Sequence, residues 1–266
     1  MTSLTRALFW HAPTTQRVPR RHLHRYPTRC YLISTLLPDK EDQLVAPLAI
    51  DTAILDVDGT LIDSNYHHAL AWSRAFDRFD YRVPLWRIHR TIGMGGDKLV
   101  TAVAGEDAES RDGDALRDAW TEEYDAIISE VAAFDGATEL MAALRDRGIT
   151  VVLASSGIPQ HTENALKLLD DGEHLDASTT SEDAEESKPD PELLDKALEK
   201  AGGFNAIVIG DSVWDMKAAK QREIPAVALL CGGFGRDELL EAGAAVVLDD
   251  PRALLKDLGP VLGDLG

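Results

Sequence analysis

The chain has 266 residues, 44% of them hydrophobic, with 27 Lys and Arg against 46 Asp and Glu and a formal net charge of −19. That length suits one large domain or a domain carrying an insertion. The acidity argues against nucleic-acid or anionic-membrane partners, and no apolar run approaches the roughly 18–20 residues that span a bilayer.

Residues 1–47 differ from the rest: up to Pro38 they are rich in Arg and His and contain no Asp or Glu. They read as a disordered tail or an upstream start-site assignment, and in composition they resemble a transit peptide. From Ile50 onward short apolar runs alternate with amphipathic stretches. The expected strands are 50–56, 150–154, 206–210, 226–230 and 245–248, with helices over 138–147, 160–169, 192–201 and 213–222 among the segments between. This rhythm predicts an α/β fold with a doubly wound parallel sheet. The run Pro189-Asp190-Pro191-Glu192 is a helix start signal. Residues 66–133 break the pattern, with helical periodicity over 66–79, 86–91, 97–103 and 114–128 and no strand. They are expected to form an all-helical insertion between the 48–65 and 134–266 pieces of the core, where such a segment can cover a site as a lid.

The most informative residues are Asp56-Val57-Asp58-Gly59-Thr60, which follow the apolar Ala53-Ile54-Leu55. Two carboxylates at the end of a buried strand need a cation close by, because desolvating an unpaired carboxylate costs several kcal/mol. Open α/β sheets place their chemistry at such strand ends. The two cysteines, Cys30 and Cys231, make neither a disulfide framework nor a CxxC pair, so a reducing cytoplasm is the expected compartment. Cys231 is expected to pack as a small hydrophobe at a strand end.

Three further segments join this one in a fixed order. They are Val151-Val152-Leu153-Ala154 running into Ser155-Ser156-Gly157, then Ser187-Lys188-Pro189-Asp190-Pro191, then Val208-Ile209-Gly210-Asp211-Ser212-Val213-Trp214-Asp215. Together the four resemble the motifs of the haloacid dehalogenase superfamily of phosphatases, in the branch of β-phosphoglucomutase-like proteins with a small helical cap. The resemblance extends from residue 50 to about residue 250 and implies a Rossmann-like core with the inserted cap.

The residue types support the implied chemistry directly. Asp56 is a candidate nucleophile, since carboxylates form aspartyl-phosphate intermediates. A carboxylate attacking a phosphate dianion meets a repulsion of about 4 kcal/mol at 4 Å and an effective dielectric near 20. A Mg2+ ion and an ammonium group would offset it. Asp56 and Asp211 offer the hard oxygen ligands Mg2+ prefers. The resemblance adds the backbone carbonyl of Asp58 as a metal ligand and Asp215 as the holder of a coordinated water. Lys188 would neutralise charge on the transferring group. Ser155 would donate its hydroxyl and backbone N–H to a phosphoryl oxygen beside a helix N-terminus. Ser155 and Ser156 are equal candidates to cap that helix. Asp58, two residues past Asp56, can protonate the leaving alkoxide and later deprotonate the attacking water. Its presence favours phosphoryl transfer over dehalogenation within the family. Asp215 is also open to a simpler reading, as a first-turn residue stabilised by its helix dipole.

In the insertion, His68 stands where the resemblance puts a substrate-adjacent histidine, and it is equally well read as a helix-surface residue. The stretch His89-Arg90-Thr91-Ile92-Gly93-Met94-Gly95-Gly96-Asp97-Lys98 is the expected specificity loop. Its glycines permit close backbone approach to a ligand. The sugar-phosphate mutases of this branch carry an Arg beyond the equivalent Gly, whereas this chain has Gly95 and Gly96; Lys98 or Arg90 would have to substitute in binding a second phosphate, and each reads equally well as a surface charge or a helix-capping group. The expected function is a Mg2+-dependent phosphatase acting on a small phosphorylated metabolite. A mutase of the β-phosphoglucomutase type and a catalytically silent binding protein are the alternatives. Oligomeric state is not legible.

Overall fold

The computed structural model describes residues 49–266, so the expectation for residues 1–47 lies outside the described residues. The chain runs β1 (Thr52–Leu55), α1 (Asn65–Arg78), α2 (Leu85–His89), α3 (Gly96–Ala104), α4 (Glu106–Asp125), α5 (Ala137–Arg145), β2 (Thr150–Ala154) and α6 (Pro159–Leu168). It continues through β3 (Ala177–Thr179), α7 (Glu192–Ala201), β4 (Ala206–Gly210), α8 (Val213–Gln221), β5 (Ala226–Leu229), α9 (Arg236–Ala242), β6 (Val246–Leu248) and α10 (Pro251–Leu265). The strands form one parallel sheet in the order β3-β2-β1-β4-β5-β6. This is the doubly wound α/β architecture the sequence predicts.

β1 occupies the interior of the sheet, with Leu55 in register with Leu153 of β2 and Ile209 of β4. All four of its residues are buried. Parallel strands covered on both faces read as uninterrupted apolar runs, which is why β1, β2 and β4 were legible. Side chains alternate between the two faces. Ala53, Leu55, Val151 and Leu153 pack in one cluster with Leu140, Leu144 and Leu258. Ile54, Val152 and Val208 pack in another with Leu194, Met216 and Leu239.

The structure adds one strand to the expectation. β3 is only Ala-Ser-Thr, too short and polar to carry a hydrophobic period, and it forms because β2 offers it an edge. The first strand ends at Leu55 rather than Asp56.

Helices α1–α4 bury an apolar cluster of their own, built from Trp72, Phe76, Ile88, Leu99, Val100 and Leu116. α4 begins at Glu106, eight residues before the expected start at Asp114 and directly through Gly113. Glu106, Asp107 and Glu109 occupy its first turn, where carboxylates complement the helix dipole. The helix runs through Gly113, over which the flexible Glu109 side chain lies, its carboxylate 2.6 Å from where a Cβ would stand.

Candidate active site

Because every strand is parallel, the ends of β1, β2 and β4 open on one edge, and the loops beyond them carry the four motifs to it. Asp56 follows β1, Ser155 follows β2, Asp211 follows β4, and Lys188 lies between β3 and α7. Lys188 Nζ donates to Asp56 Oδ1 at 2.5 Å and to the Ala154 carbonyl at 3.1 Å, and it lies 2.7 Å from Asp215 Oδ1. Lys188, Asp211 and Asp215 are each 1% exposed and Asp56 is 6% exposed.

Carboxylate oxygens of Asp56, Asp211 and Asp215 lie within 4.8 Å of one another. Three buried carboxylates against one ammonium leave an uncompensated negative charge. Burial raises the Asp56 carboxyl to about 7; Lys188 opposes the rise and Asp215 adds to it. Burial, reinforced by Asp215 and Asp56, holds the Asp211 carboxyl well above the usual range. The same burial disfavours a charged Lys188, yet Asp215 and Asp56 outweigh it and keep the ammonium protonated. Clustered hard oxygens with excess negative charge suit a Mg2+ ion.

Asp215 fits the simpler reading, as a first-turn residue of α8. Its Oδ2 accepts from the Ser212 hydroxyl at 2.6 Å and the Ser212 N–H at 3.1 Å, closing a capping box on α8. Its Oδ1 faces Lys188. The Asp211 carboxylate is aimed by Thr60, part of the first motif, and by Asn65, to neither of which the sequence assigned a role. Thr60 Oγ1 donates to Oδ1 at 3.0 Å, and Asn65 Nδ2 donates to Oδ2 at 2.8 Å. Asn65 Nδ2 also donates to the Gly232 carbonyl at 3.1 Å. A Cβ on Gly232 would collide with Asp211, so glycine is required there. Gly59 has φ +75°, the left-handed conformation the turn after Asp58 needs. Cys231 is half-buried just past β5, its Sγ 3.1 Å from the Gly59 carbonyl.

Asp58 and Asp56 face the same small crevice of about 60 Å³. The Asp58 carboxylate stands outside the acidic triad. Its Oδ1 accepts from Ser64 Oγ at 2.5 Å and lies 3.0 Å from His68 Nε2. Burial opposes its ionisation, but His68 and the Ser64 hydroxyl together lower it to about 2. His68 is therefore not a surface residue: it is 6% exposed and stacked on Tyr124 at 3.9 Å. Next to it His161, also buried, lies 3.1 Å from Asp125 Oδ1. No local sequence signal marked that second histidine.

Two expectations for the phosphate loop need correction. The Ser155 N–H donates to the Thr179 carbonyl at 3.2 Å, so only its hydroxyl is left to meet a ligand. Neither Ser155 nor Ser156 caps α6, whose N-cap is Ile158 with Pro159 as the first helical residue. Ser156 lines the crevice, and the structure leaves its buried hydroxyl without a protein partner. Gly95 also lines the crevice, so tightly packed on Ser187 that a Cβ would approach the Ser187 Cβ to 2.6 Å. Lys98 is not free: Nζ donates to the Ser187 carbonyl at 2.6 Å and pairs with Glu186 at 2.9 Å. Arg90 pairs with Glu238 at 2.7 Å and lies over Phe234.

Comparison with known proteins places this geometry in context. The chain is 29% identical over 223 residues to a validoxylamine A 7'-phosphate phosphatase of Streptomyces hygroscopicus subsp. limoneus, covering 79% of this chain and 94% of that protein. It is 28% identical over 182 residues to a phosphoglycolate phosphatase of Nitrosospira multiformis, covering 65% of this chain and 80% of that one. A crystal structure of a hydrolase from Pseudomonas syringae superposes with a TM-score of 0.75 at 34% identity, over 79% of this chain and 98% of that chain. The family model for haloacid dehalogenase-like hydrolases matches residues 50–221, the stretch that runs from the strand before Asp56 to the end of the helix bearing Asp215, and the chain belongs to that family.

Proposed function

We propose that the chain is a Mg2+-dependent phosphatase that hydrolyses a small phosphomonoester through an aspartyl phosphate on Asp56. It is a phosphoric monoester hydrolase, in keeping with the phosphatases among its relatives. The observation that carries the reading is the meeting of Asp56, Asp211 and Asp215 with Lys188 at one buried point. Those three carboxylates would hold the ion, with the Asp58 carbonyl and an Asp215-held water completing the set the family implies. When bound, Mg2+ supplies charge neutralisation for the phosphoryl oxygens.

Asp56 attacks phosphorus and the bond to the leaving oxygen breaks. Lys188 keeps the nucleophile oriented and offsets the repulsion between the two anions. The Ser155 hydroxyl, with Ser156 beside it, receives a phosphoryl oxygen. The departing alkoxide takes a proton from Asp58. In the free site His68 and Ser64 keep Asp58 ionised. The arriving phosphate dianion raises its proton affinity, because a neighbouring negative charge disfavours the carboxylate, and Asp58 takes up one proton from water as the ester binds. Once the alcohol has left, Asp58 is again a carboxylate and removes a proton from the water that attacks the aspartyl phosphate. Phosphate leaves and Asp56 is restored. Residues 66–133, which carry all of helices α1–α4 except Asn65, serve as the cap over this site, with the described part of 48–65 and 134–266 as the core.

The mutase reading loses support because Lys98 and Arg90, the two groups available for a second phosphate, are held by Glu186, Ser187 and Glu238. Phosphate release from p-nitrophenyl phosphate, with and without Mg2+, tests the proposal. Asp56→Asn is expected to abolish release, and retained turnover in that variant would overturn covalent catalysis.

A further inference from the structure

The crevice holding Asp56 and Asp58 shares Gly95, Gly96, Trp120 and Ser156 with a second, larger cavity of about 490 Å³. A phosphomonoester with its phosphorus at Asp56 must place its alcohol portion in this space. The chemistry of the cavity wall therefore reports on the substrate, provided the phosphatase reading holds.

Charge on that wall is one-sided. Asp97, Asp118 and Glu185 stand exposed at its rim and form no ion pair among the described residues. A fourth carboxylate, Glu186, is compensated by Lys98. The cavity's one lining cation, Arg117, donates to Glu109 at 2.9 and 3.1 Å, to Asp114 at 2.8 Å and to the Gly96 carbonyl at 3.2 Å. It has no free charge for a ligand anion. A second carboxylate or phosphate on the substrate would meet these like charges at the rim, an effect that solvent screens, and would find no free cation in the lining to pair it.

The same wall carries polar atoms that need partners. Ser156 Oγ, Ser187 Oγ and Trp120 Nε1 are buried and make no hydrogen bond within the protein. Buried polar groups are rarely left unmatched. Each hydroxyl can donate and accept once its side chain turns toward the cavity, and the indole N–H can only donate, so a ligand presenting several hydroxyl groups would match them. Trp120 stacks on Trp72 at 5.2 Å, giving the cavity an aromatic side against which a carbon skeleton can lie. Uncompensated carboxylates and an aromatic ring also accommodate an ammonium group.

We infer that the substrate is a phosphorylated polyol whose alcohol portion bears no second anionic group, an amino substituent being accepted. The test compares size-matched pairs under Mg2+: glycerol phosphate against phosphoglycerate, and sorbitol phosphate against phosphogluconate, with glucosamine phosphate beside glucose phosphate. Expected is a kcat/KM about tenfold or more in favour of the uncharged member of each pair, with the amino sugar at least equal to its neutral counterpart. Equal or faster turnover of the carboxylate-bearing members overturns the inference.

The double variant Asp118→Asn, Glu185→Gln is expected to narrow the gap severalfold, whereas Glu163→Gln, outside the cavity, leaves it unchanged. A gap that stays the same in the double variant also overturns it. A binding measurement separates this inference from the phosphatase reading. In the Asp56→Asn protein, tryptophan fluorescence is titrated with the same esters in the presence of Mg2+. Tighter binding of the uncharged esters supports the inference whatever the turnover, and preference for the anionic esters, or no binding of the uncharged ones, defeats it. Failure to hydrolyse p-nitrophenyl phosphate counts against the phosphatase reading alone.

Discussion

Lys188 donates to Asp56 at 2.5 Å although 132 residues separate the two in the chain. The same ammonium reaches Asp215, so a single cation holds together the loop after β1, the loop before α7 and the first turn of α8. It is the nearest positive charge for two of three clustered carboxylates, and its removal should affect both folding and chemistry. Lys188→Met is expected to cost about 3–5 kcal/mol in urea unfolding with a chelator present, as for other broken buried pairs. Mg2+ should return part of that loss, because the carboxylates remain to bind it. Phosphatase activity should fall by a factor on the order of a thousand or more. Lys188→Arg should not restore it, since a planar guanidinium does not fit a site shaped for an ammonium.

Asp58 gives a prediction that depends on the leaving group. Asp58→Asn removes the proton donor and acceptor, a change expected to lower kcat on an alkyl phosphate by about 10²–10⁴. The loss should be smaller on p-nitrophenyl phosphate, whose phenolate departs without a proton. Steady-state kinetics on both substrates check this. Equal losses would mean that Asp58 does not protonate the leaving oxygen.

The His68–Asp58 pair also has a signature in acid stability. Asp58 is lowered to about 2 from an ordinary 3.8, so the unfolded chain takes up this proton before the folded one does. The stabilisation is fully present above pH 3.8, on the order of 2 kcal/mol, and is lost as pH falls toward 2. His68→Asn should raise the Asp58 pKa and flatten that part of the stability curve. Urea midpoints across the acid range measure it.

The acidic triad predicts the opposite slope at higher pH. Asp56 and Asp211 are raised above the ordinary value, so the folded chain binds protons that the unfolded chain has released. With a chelator present, stability should therefore fall as pH climbs from about 4 toward about 7. Mg2+ should flatten that decline by neutralising the carboxylates. Thermal midpoints with EDTA and with Mg2+ give the comparison. An identical pH slope in both would argue against a metal at the triad.

Asn65 and Gly232 act on Asp211 without being ligands themselves. Asn65→Ala removes the donor to Asp211 Oδ2, and Gly232→Ala pushes a methyl group into the same carboxylate. Each is expected to weaken Mg2+ affinity by about 10–100-fold, the usual effect of disturbing a residue that orients a metal ligand. Isothermal titration with Mg2+ reads the effect directly, and activity should recover at high Mg2+.

The sequence alone determined the α/β class and the strands β1, β2, β4, β5 and β6, and it pointed to residues suited to phosphoryl chemistry. Buried parallel strands must be apolar, and charged residues at their ends must be exceptional, so these features are written locally. β3 was hidden because Ala-Ser-Thr, short and largely polar, becomes a strand only when β2 supplies an edge. The first turns of α4 were hidden because a buried Gly113 reads as a break until Glu109 is seen covering it. Tertiary structure alone decided that Asp211 is aimed by Thr60 and Asn65, that His68 is buried against Asp58, and that Lys98 and Arg90 are already engaged. Each of these depends on which distant group lies opposite. Periodicity and motif spacing describe a residue's chemistry and its face, and its partner is chosen only when the sheet and the helices bring separate segments to the same edge.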